Sequence, residues 1–510
     1  MVEVALQGVT YVPHQVRIAV NEVELGEADF VSQDEGTGKF SVPASALREG
    51  ENAVTLTPLG GESDLSLIDY IRITYPHTYA ADDNALRFTL AKKQQVTISG
   101  FTSETVRVLD ITDPDEVREV ASRVAGSGGE YSVTVSAPKG GQRMLMAVAD
   151  DRARRQASMA INRPSNLRDS SREADLVIVT RREFFESLGP LQTLRESQGL
   201  AVAIVDIEDI YNEFGDGEKS PKALKDFLLE TRRSWHKPPR FALFVGDASL
   251  DPKNYLGQGN FDLVPTKLVD TVYLETASDD WLADFDDDGM ADIALGRLPV
   301  RTAEEASRVI AKIVSADSTR PEGIALVADS TDSIDFESLT DELRGLIPDG
   351  VRVDEIYRGR MDAAAARSQL LASLNRGPKI VNYSGHGNVD QWRGNLLTND
   401  DADSLTNSDR LSLFLSITCL NGYFQDVALE SLAESLLKAK RGGAVAVWAS
   451  SGLCEVGPQA VLNQAMFKIL LGSEGTLTLG EATLRAKSAV NDFDVRRTYI
   501  LFGDPSTRLR

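Results

Sequence analysis

At 510 residues the chain has room for three or four domains of about 150 residues each. It is 42% hydrophobic and 26% charged, the balance of an ordinary globular protein and not of a disordered one. Its formal net charge of −23 argues against nucleic-acid binding, where phosphate contacts need clustered Lys and Arg.

Other absences narrow the reading further. No apolar run approaches the ~20 residues of a membrane span. Only two cysteines occur, Cys419 and Cys454, which excludes a disulfide framework. The opening Met1-Val2-Glu3-Val4 lacks the basic and apolar regions of a secretory signal, so the chain reads as intracellular or as trimmed of a leader.

Taken in order, residues 1–95 read as a β-sandwich module. Val16–Val20, Phe40–Val42, Ala53–Leu56 and Ile68–Ile73 are short alternating runs separated by Gly, Asp and Asn. Residues 96–161 form a second small β domain, with strands at Gln95–Ile98, Val106–Leu109 and Tyr131–Val135 and a turn at Gly126-Ser127-Gly128-Gly129. Residues 162–173 are polar, without periodicity, and read as a linker.

After the linker, strands and helices alternate, the pattern of a mostly parallel sheet covered by helices on both faces. Residues 174–318 make one α/β subdomain. Its strands include Leu176–Val179 and Phe241–Val245, and Ser220-Pro221 opens a helix with Pro where it is tolerated. The Thr302–Ala316 helix joins it to a second subdomain, residues 319–510. There Ile324–Ala328 and Val351–Ile356 read as strands, and Phe336–Leu346, Met361–Leu374, Val427–Lys440 and Ala460–Leu471 as helices.

Within the first of these subdomains lies an acidic loop. Asp284, Asp286, Asp288 and Asp292 stand at positions one, three, five and nine, with Gly289 at six, a spacing of hard oxygen ligands that suits calcium. Position twelve is Leu295 in place of the bidentate Glu, and no helices flank the loop, so an acidic surface turn is an equal reading. No histidine has zinc-ligand spacing, no phosphate loop follows a strand, and Gly-x-Ser-x-Gly is absent.

The segment from Pro378 to Tyr423 carries the chemistry. The apolar run Ile380–Tyr383 breaks into Ser384-Gly385-His386-Gly387-Asn388, and Leu411–Thr418 breaks into Cys419-Leu420-Asn421-Gly422. Taken singly, the cysteine reads as a small buried hydrophobe and the histidine as a loop residue. Together they close two strands joined by one short crossover, where open α/β sheets gather function. A thiol nucleophile needs such a partner.

These residues resemble the gingipain-type cysteine peptidases. The similarity rests on Asn-Tyr-Ser-Gly-His-Gly at 382–387, the strand ending Thr-Cys-Leu-Asn-Gly at 418–422, Gly296-Arg297-Leu298-Pro299-Val300 and Leu501–Ser506. It covers roughly residues 174–508. The resemblance implies a caspase-like fold of two subdomains, with His386 as catalytic base and Cys419 as nucleophile. It also implies a secreted or cell-surface location and β modules that bind protein or carbohydrate; a spacer or pro-domain-like cover is the alternative for those modules.

On that mechanism the amides of Gly387 and Cys419 would hold the oxyanion. Asp329, closing the Ile324–Ala328 strand, is the candidate orienting acid, with a turn-capping role as its alternative. Trp448, Ala449 and Ser450 would line the pocket for the residue preceding the cut. The chemistry requires no cofactor, and the substrate would be protein or peptide. Two rivals stand beside hydrolysis: a non-catalytic binding or attachment protein on the same fold, and a transpeptidase. Cys454 is expected to pack against the pocket wall, with a reversible Cys419–Cys454 disulfide as the alternative.

Overall fold

The computed structural model describes residues 1–48, 50–153, 164–472 and 477–509. The chain divides into two compact units, residues 1–160 and 161–510.

The first unit is all β. Its strands alternate in burial, as along Pro13–Val20, because successive side chains point to opposite faces of a sheet. Two three-stranded sheets supply a core of Val2, Val4, Leu6, Val16, Ile18 and Phe30. A four-stranded and a three-stranded sheet share a second core around Leu90, Ile98, Phe101, Val108, Val133 and Leu145. The strand Ala85–Leu90 pairs with Arg143–Ala149 and so belongs to the second core. That moves the internal boundary upstream of residue 96, because its Phe88 and Leu90 are buried there.

The stretch read as a linker is in part docked. Asn162 and Arg163 lie outside the described residues. Beyond them Leu167 is buried in the α/β core, its amide donates to Glu213, and its carbonyl accepts from Trp235 Nε1 at 2.8 Å. A polar composition concealed one anchoring leucine.

The second unit is built on one ten-stranded sheet. Across it run Val202–Asp206, Leu176–Thr180, Phe241–Val245 and Ala294–Leu298, then Tyr499–Phe502. The other half follows as Ala444–Ser450, Ser412–Ile417, Ile380–Ser384, Ile324–Ala328 and Val353–Tyr357. All neighbours are parallel except Ala444–Ser450 with Tyr499–Phe502. The late strand Tyr499–Phe502 therefore closes the seam between the two halves. Gly296 stands at that seam because a Cβ there would lie 2.2 Å from the Gly503 carbonyl oxygen.

Most sheet strands are buried on both faces, hence their continuous apolar runs. One face packs Val381, Tyr383, Phe414 and Ala449 in a core continuous across both halves. The opposite face carries Leu326, Leu413, Leu415 and Trp448 under the Phe336–Arg344 and Val456–Leu471 helices.

Local chemistry sets the helix starts. Thr302, Ser220 and Asp362 each accept a backbone amide of the first turn. The helix expected over Val427–Lys440 spans only Leu432–Lys438. Asp426 accepts the amides of Ala428 and Leu429 at 2.7 and 3.0 Å, a turn that competes with helix, and Ser431 with Glu434 then makes a capping box. Among the described residues, no helix is long and apolar enough to cross a membrane.

Candidate active site

Ile380–Ser384 and Ser412–Ile417 are adjacent, in parallel register, with Ser384 opposite Ile417. His386 and Cys419 therefore leave the same edge of the sheet, each two residues past the last registered pair.

The histidine loop is held by charge and hydrogen bonds. Gly385 is required because a Cβ would lie 2.5 Å from both the Asp329 Cβ and the Tyr383 hydroxyl. The His386 amide donates to Asp329 Oδ2 at 3.3 Å, and its carbonyl accepts from the Tyr383 hydroxyl and the Arg393 amide at 2.7 and 2.9 Å. Its ring is bound elsewhere: Nε2 lies 3.1 Å from Asp332 Oδ2, and Phe336 packs edge-on at 5.0 Å.

The role expected of Asp329 is thus divided. Asp329 is fully buried, paired with Arg358 at 2.6 Å, and fixes the main chain of His386. Asp332 engages the imidazole. The Ile334 amide, Arg393 and His386 hold the Asp332 carboxyl down at about 2. Arg393 bridges the two acids, 2.7 Å from Asp332 and 3.5 Å from Asp329. Reasoning from the strand end reached Asp329 and stopped one turn short. The signal available was the second acid in Asp329-Ser330-Thr331-Asp332.

The cysteine turn is built differently. Leu420 takes a left-handed φ of 61°, uncommon for a branched side chain, directly after the candidate nucleophile. Three backbone bonds hold this turn: Leu420 to the Gly452 carbonyl at 3.1 Å, Asn421 to that of Cys419 at 2.8 Å, and Gly422 to that of Ser450 at 2.8 Å. Cys419 Sγ sits 3.9 Å from the Cys454 carbonyl oxygen. Burial pushes its thiol above the ordinary range, opposed by its hydrogen-bond contacts with the Cys454 backbone and the Gln459 side chain.

Asn421 joins the two loops. It is fully buried, accepts from Trp392 Nε1 at 2.8 Å, and donates to the Asn388 carbonyl at 2.6 Å. Trp392 in turn stacks on Tyr383, ring centroids 4.1 Å apart. Spacing gave no sign of this residue, since an Asn in a Leu-Asn-Gly turn ordinarily serves its own turn. Among the described residues the amides of Gly387 and Cys419 have no protein acceptor.

The residues expected to line the pocket do not face solvent. Trp448 is in the core against Tyr499, centroids 5.4 Å apart, and Ala449 is buried on the opposite face. The Ser450 hydroxyl lies within 3.2 Å of Cys454 Sγ and 3.1 Å of Thr498 Oγ1. Every residue of that strand is buried, so a pocket has to form past its end. Cys454 is likewise a buried thiol, pushed up to about 12 by burial, with Ser450 and Thr498 as its partners. Its carbonyl, not its sulfur, is the group bonded to Cys419.

In the acidic loop Asp284, Asp286 and Asp288 bring carboxylate oxygens within 4.8 Å of one another. Asp284 also accepts the amides of Asp288 and Gly289, at 3.1 and 2.9 Å. Asp292 is not in this group; it pairs with Arg232 at 2.6 Å.

A histidine and a cysteine closing neighbouring strands of a mostly parallel, helix-covered sheet define a caspase-like fold of the cysteine-peptidase kind. Residues 169–510 match the model of Peptidase family C25, and the chain belongs to that family. Gingipain R2 of Porphyromonas gingivalis is 25% identical over 162 residues, 29% of this chain and 22% of that protein. The chain thus spans less than a quarter of the curated relatives it matches.

The fold also matches solved structures. One is the Arg-specific cysteine proteinase gingipain R (RgpB), at TM-score 0.55 and 18% identity, covering 69% of this chain and 80% of that one. Dimeric latent PorU from Porphyromonas gingivalis matches at TM-score 0.52 and 15% identity, over 100% of this chain and 48% of that one. At these identities the likeness shows the fold.

Proposed function

We propose that this protein is a cysteine endopeptidase in which Cys419 is the nucleophile and His386 the general base and acid. One observation carries the reading: the two residues close adjacent strands in register, and Asn421 ties their loops together. With Nε2 on Asp332, Nδ1 is the ring nitrogen left to take a proton.

On this reading Cys419 gives its proton to His386 as Sγ attacks the peptide carbonyl carbon. The oxyanion accepts hydrogen bonds from the Gly387 and Cys419 amides. The C–N bond breaks as His386 returns the proton to the leaving amine, leaving a thioester, which water activated by His386 hydrolyses. A raised thiol pKa favours proton transfer during attack over a standing thiolate. Incubation with a mixed peptide pool tests this: products from the parent and none from Cys419→Ala support it, and equal products contradict it.

We also propose calcium at Asp284, Asp286 and Asp288, in a structural role. Three close carboxylates repel unless a cation sits among them, and the glycine turn at Gly289, φ 83°, lets the loop fold back on itself. With Asp292 held by Arg232, it would not serve as a ligand as the loop stands.

A further inference from the structure

A slot opens beside the dyad between the Phe336–Arg344 and Val456–Leu471 helices. Ser384 and Ile417, the last registered pair of the two strands that deliver His386 and Cys419, belong to its lining. Phe336, on its wall, is the ring packed against His386. On the other side Gln459 bonds the Cys454 carbonyl at 3.0 Å and lies against the Cys419 thiol. The slot thus meets the dyad through Phe336 on the histidine side and Gln459 on the cysteine side.

Its chemistry is one-sided. Leu339, Val456 and Ala460 complete apolar walls. The polar groups are neutral and already engaged: Asn463 with Asn382 at 2.7 Å, Ser384 with Asn382 at 3.4 Å, and Gln459 as above. Among the described residues, none that lines it is charged. Glu455 accepts from the Tyr273 hydroxyl and Glu342 from Gln464 at 2.5 Å, and neither lines the slot. A buried guanidinium or ammonium needs a paired acid, and none stands at the base of this slot. The slot admits little beyond one water-sized sphere, about 10 Å³, within about 330 Å³ of empty space that opens to solvent.

We infer that this slot receives the side chain of the residue on the acyl side of the cut, and that it selects a small uncharged aliphatic side chain such as alanine or valine. This rests on the peptidase reading above. The acyl carbon is the atom bonded to Sγ, so the side chain of that residue is the one nearest a slot whose Gln459 lies against the sulfur. The inference replaces the pocket expected at Trp448–Ser450.

The test uses the full chain and a set of peptides differing only at one position, with Gly, Ala, Val, Leu, Asp, Lys or Arg there, cut sites being read by mass spectrometry. Cleavage after Ala and Val should exceed cleavage after Lys or Arg. Ala460→Leu, which fills the slot, should lower the ratio of cleavage after Val to cleavage after Gly by about tenfold, the scale of one or two methylenes in an apolar pocket. Leu339→Ala, which widens it, should raise the ratio of Leu to Ala. Ratios within one protein do not depend on how much of a variant folds. Cleavage favouring Lys or Arg, or ratios unmoved by both variants, overturns the inference and leaves the peptidase reading in place. No cleavage of any peptide overturns both.

Discussion

The loops after the two central strands solve opposite problems. The one carrying His386 is saturated with charge: Asp329, Asp332, Arg358 and Arg393 fix its main chain and its ring. The one carrying Cys419 has, among the described residues, no ionic partner for its sulfur, takes a left-handed step at Leu420, and is held by backbone bonds. A base needs its orientation fixed, and directed hydrogen bonds do that. Partial burial without a cationic partner disfavours the thiolate. On the proposed reading, positioning of the base and activation of the thiol fall to separate loops, joined through Asn421.

The largest effect should come from the reacting atoms. His386→Ala should reduce kcat to near that of Cys419→Ala, with the double variant barely worse than either, because members of a catalytic unit are not additive. Steady-state kinetics with one cleavable peptide checks this, and additive losses would separate the two residues.

Next in size are changes to the scaffold of each loop. Asp329→Ala strips the buried partner of Arg358 and should cost about 3–5 kcal/mol of stability. Asn421→Ala leaves the buried Trp392 Nε1 without its acceptor, at about 1–3 kcal/mol, and releases the Asn388 carbonyl, on an exposed residue, to water. Denaturant unfolding measures both. Asp332→Asn, on the exposed side, should lower kcat with only a small change in melting temperature, since its partners are partly solvated. If Asp332→Asn were as destabilising as Asp329→Ala, the division of labour between the acids would collapse.

A pH series sharpens the contrast from the thiol side. Burial disfavours the thiolate of Cys419, so its reaction with iodoacetamide in the free protein should still be climbing beyond about pH 8.5, where an unperturbed thiol is half ionised. A plateau near neutrality would mean a standing ion pair. The smallest effect concerns the acidic loop: chelator should lower the melting temperature by linkage, and Asp286→Asn with Asp288→Asn should remove that response. An unchanged melting curve would leave the loop an acidic turn.

Much of this was legible because apolar runs bounded by glycine mark buried parallel strands, and His386 and Cys419 stand at the ends of two of them. The sheet's seam was not legible: Tyr499–Phe502 is a short run near the end of the chain, and nothing local says it pairs antiparallel beside Ala444–Ser450. The docking of Leu167 depends on one apolar residue in a polar stretch. Asp332 and Asn421 act across 54 and 33 positions, on partners in His386 and Asn388, and such contacts leave no periodicity. Trp448 misled because a residue near a strand end was taken to face the cleft, where the period of two turns it into the core.

The most direct test of the central claim is acid-quenched mass spectrometry of the protein mixed with a cleavable peptide. The account predicts a mass gain equal to the acyl fragment of the substrate, mapped to Cys419 and absent from Cys419→Ala. Turnover in Cys419→Ala, or an adduct mapped to any other residue, would contradict it.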